Sequence, residues 1–368
     1  PSLIQAREIV ERRIGQVFGL LIVANAVLGL TQFLGAPFAA AYYGQPMVAD
    51  ILRVQSLVYL TTPFIALPAS LLARRLDFRR QATVNLFTAL AGAFASLGLA
   101  WAGYGVWALV WAPMAMFLVR AIGLTFAAGG IVKPVFDFRG AGDVVGFGTA
   151  LTVCQLFWIV QSQSDIIIAG RAFRPHELGL YSESLFLVLI FTGRFLPGLN
   201  EVALAAYAEL KNAGKPIGPA FVSGVRMIML IAAPFYIGLS LVADPLVRLF
   251  FGPKWVEMIP VVAGLAAIMP CMALQIICSP ATNALGRPGI YVTTSVAGAS
   301  IMPACFLYGA PMGAAGLVAA WHIAAPLLLA VTLAVTLPAV EARPRGLAGG
   351  MLPGLAARSA MAVGGVAR

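Results

Sequence analysis

Long apolar runs separated by short polar turns set the pattern of this chain. About ten of them reach the ~20 residues that an α-helix needs to cross a bilayer. They lie at 16–40, 54–72, 82–102, 106–128, 147–169, 178–204, 220–241, 256–279, 290–308 and 314–337. The pattern predicts an all-α polytopic membrane protein. Residues 1–15 are polar and charged and read as a cytoplasmic lead-in, and 341–368 read as a basic loop followed by a glycine-rich, poor eleventh span.

The runs repeat. Pro37 to Gly44 and Pro46 match Pro245 to Gly252 and Pro253; the span ending Pro68 to Arg74 matches the one ending Pro280 to Arg287; and the hairpin from Gly103 to Leu109 matches the one from Gly313 to Ala319. The offset stays near 208 residues and matched segments face the same side, so the repeat is a parallel one of two six-helix lobes. The expected division is an N-lobe remainder of about four spans over 1–140 and a C-lobe of about six over 141–340. The second lobe has two helices ahead of the matched region. Their counterparts would precede residue 1, which is proline, and so roughly 65 residues and two spans are expected before it.

Composition sharpens this picture. Apolar residues make up 61% and charged residues 10% of the chain, with a mean hydropathy of +0.92, against about a quarter charged in soluble proteins. The net charge of +10 sits in short loops, which is the positive-inside pattern rather than a nucleic-acid footprint. Arg74, Arg75, Arg79, Arg80, Lys133, Arg139, Lys211, Lys215, Arg287, Arg343 and Arg345 share one side, expected to be cytoplasmic. Cys154, Cys271, Cys278 and Cys305 lie in apolar runs without a CxxC and read as small apolar residues. There is no dinucleotide or P-loop fingerprint, and His176 and His322 are isolated, so neither a cofactor nor a metal is expected.

The candidate chemistry lies in polar side chains within apolar runs, which cost several kcal/mol to insert and mark transport paths. Asp165 reads either as an interfacial carboxylate near Arg171 and Arg174 or as an ion-coupling group lining a cavity. Gln161 shares its helix face at i−4. Arg194 lies past the middle of its helix, with Asn200 and Glu201 beyond it and Glu183 before it. A polyanionic headgroup would suit that arginine. Arg120 and Arg226 are nearer the helix ends, where snorkelling is the default alternative. Gln275 and Asn283 are expected to serve helix–helix contacts, and interhelical hydrogen bonding explains Gln155, Gln161 and Gln163 as well as a cavity role does.

Several segments resemble one family: Arg74 to Arg80, Gly103 to Val110, Ser164 to Ser182 with its Leu-Gly-Leu-Tyr-Ser at 178–182, Phe251 to Trp255, and Asn283 to Pro288. In order and spacing they resemble the Wzx-type polysaccharide flippases of the multidrug/oligosaccharidyl-lipid/polysaccharide exporter superfamily. The chain departs from that pattern at Glu183 and in having no proline near Ala205. The resemblance implies two lobes in a V that open alternately. It also implies a monomeric transporter, not an enzyme, in the bacterial plasma (inner) membrane. Its substrate would be a polyprenyl-diphosphate-linked oligosaccharide for exopolysaccharide, capsule or O-antigen synthesis. The substrate candidates are then Arg194, Asn200, Glu201, Gln161, Arg120 and Arg226, and the candidates for coupling to a proton or sodium gradient are Asp165 and Glu183. A cation-coupled multidrug or metabolite antiporter is the alternative. A glycosyltransferase or polymer ligase is a second one, disfavoured because no loop exceeds about twenty residues.

Overall fold

A computed structural model describes the backbone over residues 2–75, 77–137 and 142–342, and side chains over 12–75, 77–137, 155–287 and 289–342. Every regular element among the described residues is a helix. This follows from the solvent: hydrocarbon offers peptide groups no partner, so each segment must satisfy its own backbone. Among the described residues eight stretches are long and apolar enough to cross a membrane, and one of them, Gly289–Val340, contains two helices. The expected eleventh span and the basic loop before it, from 343 onward, lie outside the described residues, as does Arg139.

The chain divides into two compact units, Pro1–Gly148 and Thr149–Arg368, parting inside one long helix. The first unit contains α1 (Ser2–Tyr43), α2 (Pro46–Gln55), α3 (Val58–Thr61), α4 (Pro63–Arg74), α5 (Phe78–Trp101) and α6 (Val106–Ala127). The expected single span at 54–72 is thus a train of three helices. Pro63 lacks an amide hydrogen and restarts the chain at the first position of α4. At the first break the Ser56 hydroxyl takes up a freed carbonyl, donating to Arg53 O at 2.6 Å, and at the second Thr61 donates to Val58 O at 2.7 Å beside the Thr62 amide. Two guanidinium groups cap the end of α6, Arg75 donating to Ala128 O at 3.1 Å and Arg80 to Ala127 O at 3.2 Å. After α6 the chain returns along α1, where Val135 N donates to Gly15 O at 2.9 Å and Arg12 pairs with Asp137 at 2.9 Å.

The second unit holds α7 (Gly142–Ala172, shared across the division), α8 (Pro175–Asn212), α9 (Gly218–Leu241), α10 (Ala243–Phe250), α11 (Ile259–Ala284), α12 (Pro288–Gly309) and α13 (Gly313–Val340). The short α10 was not anticipated; an i,i+4 pair, Asp244 with Arg248 at 2.9 Å, lies along it. α11 is the hub. It packs against α8, α9 and α13, and α12 closes on α13. Phe221, Tyr236, Leu265, Met269 and Leu274 are wholly buried around it, and Tyr236 donates its hydroxyl to Val188 O. At one end Lys211 Nζ donates to Leu285 O at 3.0 Å. At the other, Glu177 accepts from Ala314 N at 2.9 Å and so places a carboxylate on the N-terminus of α13.

The repeat is visible in the backbone. Gly44 (φ 66°) and Gly252 (φ 83°) occupy one matched turn, and Gly105 (φ 54°) and Gly313 (φ 73°) the other. Both pairs lie 208 residues apart and use a region closed to most side chains. A Cβ on Gly105 would meet nothing within 4 Å, so substitution there isolates backbone strain from crowding. We expect Gly105→Ala to destabilise the protein by ~1–3 kcal/mol. Gly98→Ala, inside α5 with nothing within 4 Å, should be neutral or mildly stabilising. Thermal unfolding in detergent compares the two.

Candidate functional site

Polar residues at helical spacing on several helices of the second unit converge on one cavity of about 450 Å³. α11 contributes Gln275, Ser279 and Thr282, an i, i+4, i+7 stripe; α12 contributes Tyr291 with Thr294 and Ser295 one turn on; α7 contributes Trp158 and Gln161. Asn200 of α8 and Trp321 of α13 complete the wall.

Among the described residues, no side chain that lines it is charged. The hydroxyls are largely committed to their own helices: Thr282 donates to Ser279 O at 3.0 Å and Thr294 to Tyr291 O at 3.1 Å. The amides are not. Gln161, Gln163, Asn200 and Gln275 all line the cavity without a hydrogen bond to any described residue, and Asn200 Oδ1 is buried with no partner. A Cβ on Gly298 would run into the Gln161 carboxamide, so that glycine makes room for it.

Behind the wall lies a second polar system. Trp321 Nε1 donates to the Tyr181 hydroxyl at 2.9 Å, and that hydroxyl donates to Asp165 Oδ2 at 2.9 Å. Asp165 Oδ1 also accepts from Ile166 N at 2.8 Å. Asp165 is 1% exposed and Tyr181 not at all, so the chain is sealed in helix contacts, with Trp321 its one member on the cavity. Asp165 is therefore neither the interfacial carboxylate near Arg171 and Arg174 nor a cavity-lining group. The Tyr181 hydroxyl, sixteen residues on, takes up its carboxylate and holds it inside the bundle.

Of the eight sequence candidates, Gln161 and Asn200 reach the cavity. Glu183, Arg194 and Glu201 do not. Spaced by eleven and seven residues, they form a single exposed stripe along α8 and make no ion pair with a described residue. The Asn200 direction is about 120° from that of Arg194 at 100° per residue, which puts charge and cavity on different faces of one helix. Arg226 is exposed on α9, and Arg120 is half-buried on α6 in the first unit, its Nε without a partner. Gln275, expected to bind a neighbouring helix, instead faces the cavity, and Gln163 lines it too. The 275, 279, 282 spacing was the signal that could have placed Gln275. His176 pairs with Glu257 at 3.2 Å and His322 meets Gly264 O at 2.9 Å, and among the described residues no group of three potential metal ligands assembles.

Residues 1–260 match the family described as polysaccharide biosynthesis protein. The chain belongs to that family. Similar members of known role include the teichuronic acid biosynthesis protein TuaB of Bacillus subtilis (25% identical over 273 residues, 73% of this chain and 56% of TuaB). The succinoglycan biosynthesis transport protein ExoT of Rhizobium meliloti is 24% identical over 73% of this chain and 55% of its own. The lipopolysaccharide biosynthesis protein WzxC of Escherichia coli is 20% identical over the same shares. The chain thus spans a little over half the length of these relatives. Among solved structures it is similar to the lipid II flippase MurJ in an inward closed conformation, with a TM-score of 0.75 at 13% identity over 95% of this chain and 76% of MurJ. At that identity the likeness is one of fold. The chain is membrane-embedded, and every regular element among its described residues is a helix.

The sealed chain makes a stability prediction. Tyr181→Phe removes one hydroxyl and with it the hydrogen bonds that Asp165 Oδ2 and the Trp321 indole N–H make to it. We expect a loss of ~1–3 kcal/mol for the buried unpaired groups. Tyr291→Phe, whose ring is only partly buried, should leave the unfolding midpoint unchanged.

Proposed function

We propose that this polypeptide is the working body of a flippase. It moves polyprenyl-diphosphate-linked oligosaccharide units from the inner to the outer leaflet of a bacterial plasma membrane, for assembly of an exopolysaccharide, capsule or O-antigen. Membership of the polysaccharide biosynthesis family over residues 1–260 carries this reading. The names of TuaB, ExoT and WzxC, each tied to a surface polysaccharide, support it.

The chemistry of the second unit fits such a cargo. Glu183, Arg194 and Glu201 form an exposed charged stripe on a helix otherwise apolar enough to span a bilayer. Charge facing acyl chains is costly, so this face of α8 borders water during transport. Arg194 then offers its planar fork to the diphosphate, a geometry that guanidinium matches bidentately. No bond is made or broken; the task is to carry a polar headgroup past hydrocarbon while the polyprenyl tail stays in it. The cycle draws on a proton or sodium gradient. Glu183 on the open stripe is one coupling group, and Asp165, reached from the cavity only through Trp321 and Tyr181, is the other. The basic loops face the cytoplasm, where the lipid-linked unit is made.

In a strain whose only copy carries Arg194→Ala, we expect polymer export to fall to background at normal protein level, with lipid-linked repeat units accumulating on the inner leaflet. Arg194→Lys should restore export in part, because a point charge replaces the fork. Undiminished export by the alanine variant overturns the assignment of Arg194.

A further inference from the structure

We infer that the cavity of the second unit is a recognition site for an uncharged sugar ring of the cargo, and that it discriminates against acidic sugars. The inference rests on the transport reading above and adds to it a place and a chemical preference.

The argument starts from what the cavity lacks. A diphosphate or a uronate taken out of water needs a cation to pair with its charge, and among the described residues none that lines the cavity is charged. A site for a lipid tail needs no amides, yet four uncommitted carboxamides point into this one, from Gln161 and Gln163 on α7, Asn200 on α8 and Gln275 on α11. Each carboxamide offers a donor pair and an acceptor side by side. Neighbouring hydroxyls on a pyranose present the complementary pattern, since each is itself donor and acceptor. The Asn200 carbonyl oxygen is buried without a partner, an arrangement that costs free energy unless a ligand hydroxyl or water completes it. Aromatic faces for the apolar side of a sugar ring come from Trp158 and Tyr291. The volume of about 450 Å³ falls within the ~300–1,000 Å³ usual for small-molecule sites.

The cavity also lies nearer one end of its unit. Its α11 and α12 walls, Gln275 to Thr282 and Ile290 to Ser295, flank the turn that carries Arg287. That is the end expected to face the cytoplasm, where the sugar would be collected. Arg194 lies on another face of α8, so diphosphate and sugar are read by separate surfaces of one helix.

The test compares three probes on the protein in lipid nanodiscs: a bare polyprenyl diphosphate, the same carrier bearing one neutral hexose, and the same carrier bearing the corresponding hexuronic acid. Quenching of tryptophan emission reports binding, Trp158 and Trp321 being on the cavity wall. The neutral glycolipid should bind ~10-fold or more tighter than the bare carrier, and the uronate should lose that gain. Asn200→Leu combined with Gln161→Met keeps volume while removing two amides. It should erase the gain while bare-carrier affinity holds, and should not lower the unfolding temperature, because an unpaired buried oxygen is removed. Equal affinity for neutral and bare carriers, equal affinity for neutral and acidic sugars, or an unaltered gain in the double variant each overturns the sugar site and leaves the transport reading standing. Failure of all three probes, the bare carrier included, overturns the transport reading and the sugar site with it.

Discussion

Hydrocarbon cannot hydrogen-bond, and the architecture follows from that one constraint. Each described element is a helix because a helix alone satisfies its own peptide groups within one crossing. Where the helix breaks, something else must take over. At the α2–α3 break the Ser56 hydroxyl does so; at the end of α6 two guanidinium groups do; at the start of α13 the Glu177 carboxylate does. The same rule governs side chains. Asp165 persists in the bundle because Tyr181 and Ile166 N complete its carboxylate, and Tyr181 in turn is completed by Trp321.

The rule makes exceptions informative. On the cavity wall four carboxamides remain open, the buried Asn200 oxygen among them. The charged groups of α8 are kept off that wall and placed on another face. One helix therefore presents two chemistries, neutral polar toward the cavity and ionic toward the unit's exterior. A cargo made of a neutral glycan and an anionic linker divides the same way.

The two levels of this structure were not equally legible in the sequence. Spans and the repeat could be read because they are written locally: hydrophobic length sets the crossings, and Gly44, Gly105, Gly252 and Gly313 mark turns that need a positive φ. The break at Pro63 was not read, because hydropathy runs straight through 46–74 and only hydroxyl and proline chemistry divides it. The site was legible by residue type and not by direction. That Asp165 and Arg194 are unusual follows from composition. That one is sealed and the other exposed depends on which helices pack against α7 and α8, which no local pattern states. Gln275 was passed over for the same reason, since an amide facing a neighbour and an amide facing a void look alike until the neighbour is placed.

The guanidinium caps on α6 tie two properties together that are usually separate. Arg75 and Arg80 belong to the basic cluster from which membrane orientation is read, and both are also structural fasteners on the carbonyls of residues 127 and 128. Lysine at these positions would keep the charge that the insertion machinery senses but not the flat, two-sided reach that closes the helix end. Selection acting on sidedness and selection acting on the hairpin thus fall on the same two codons, and drift in one trait is checked by the other.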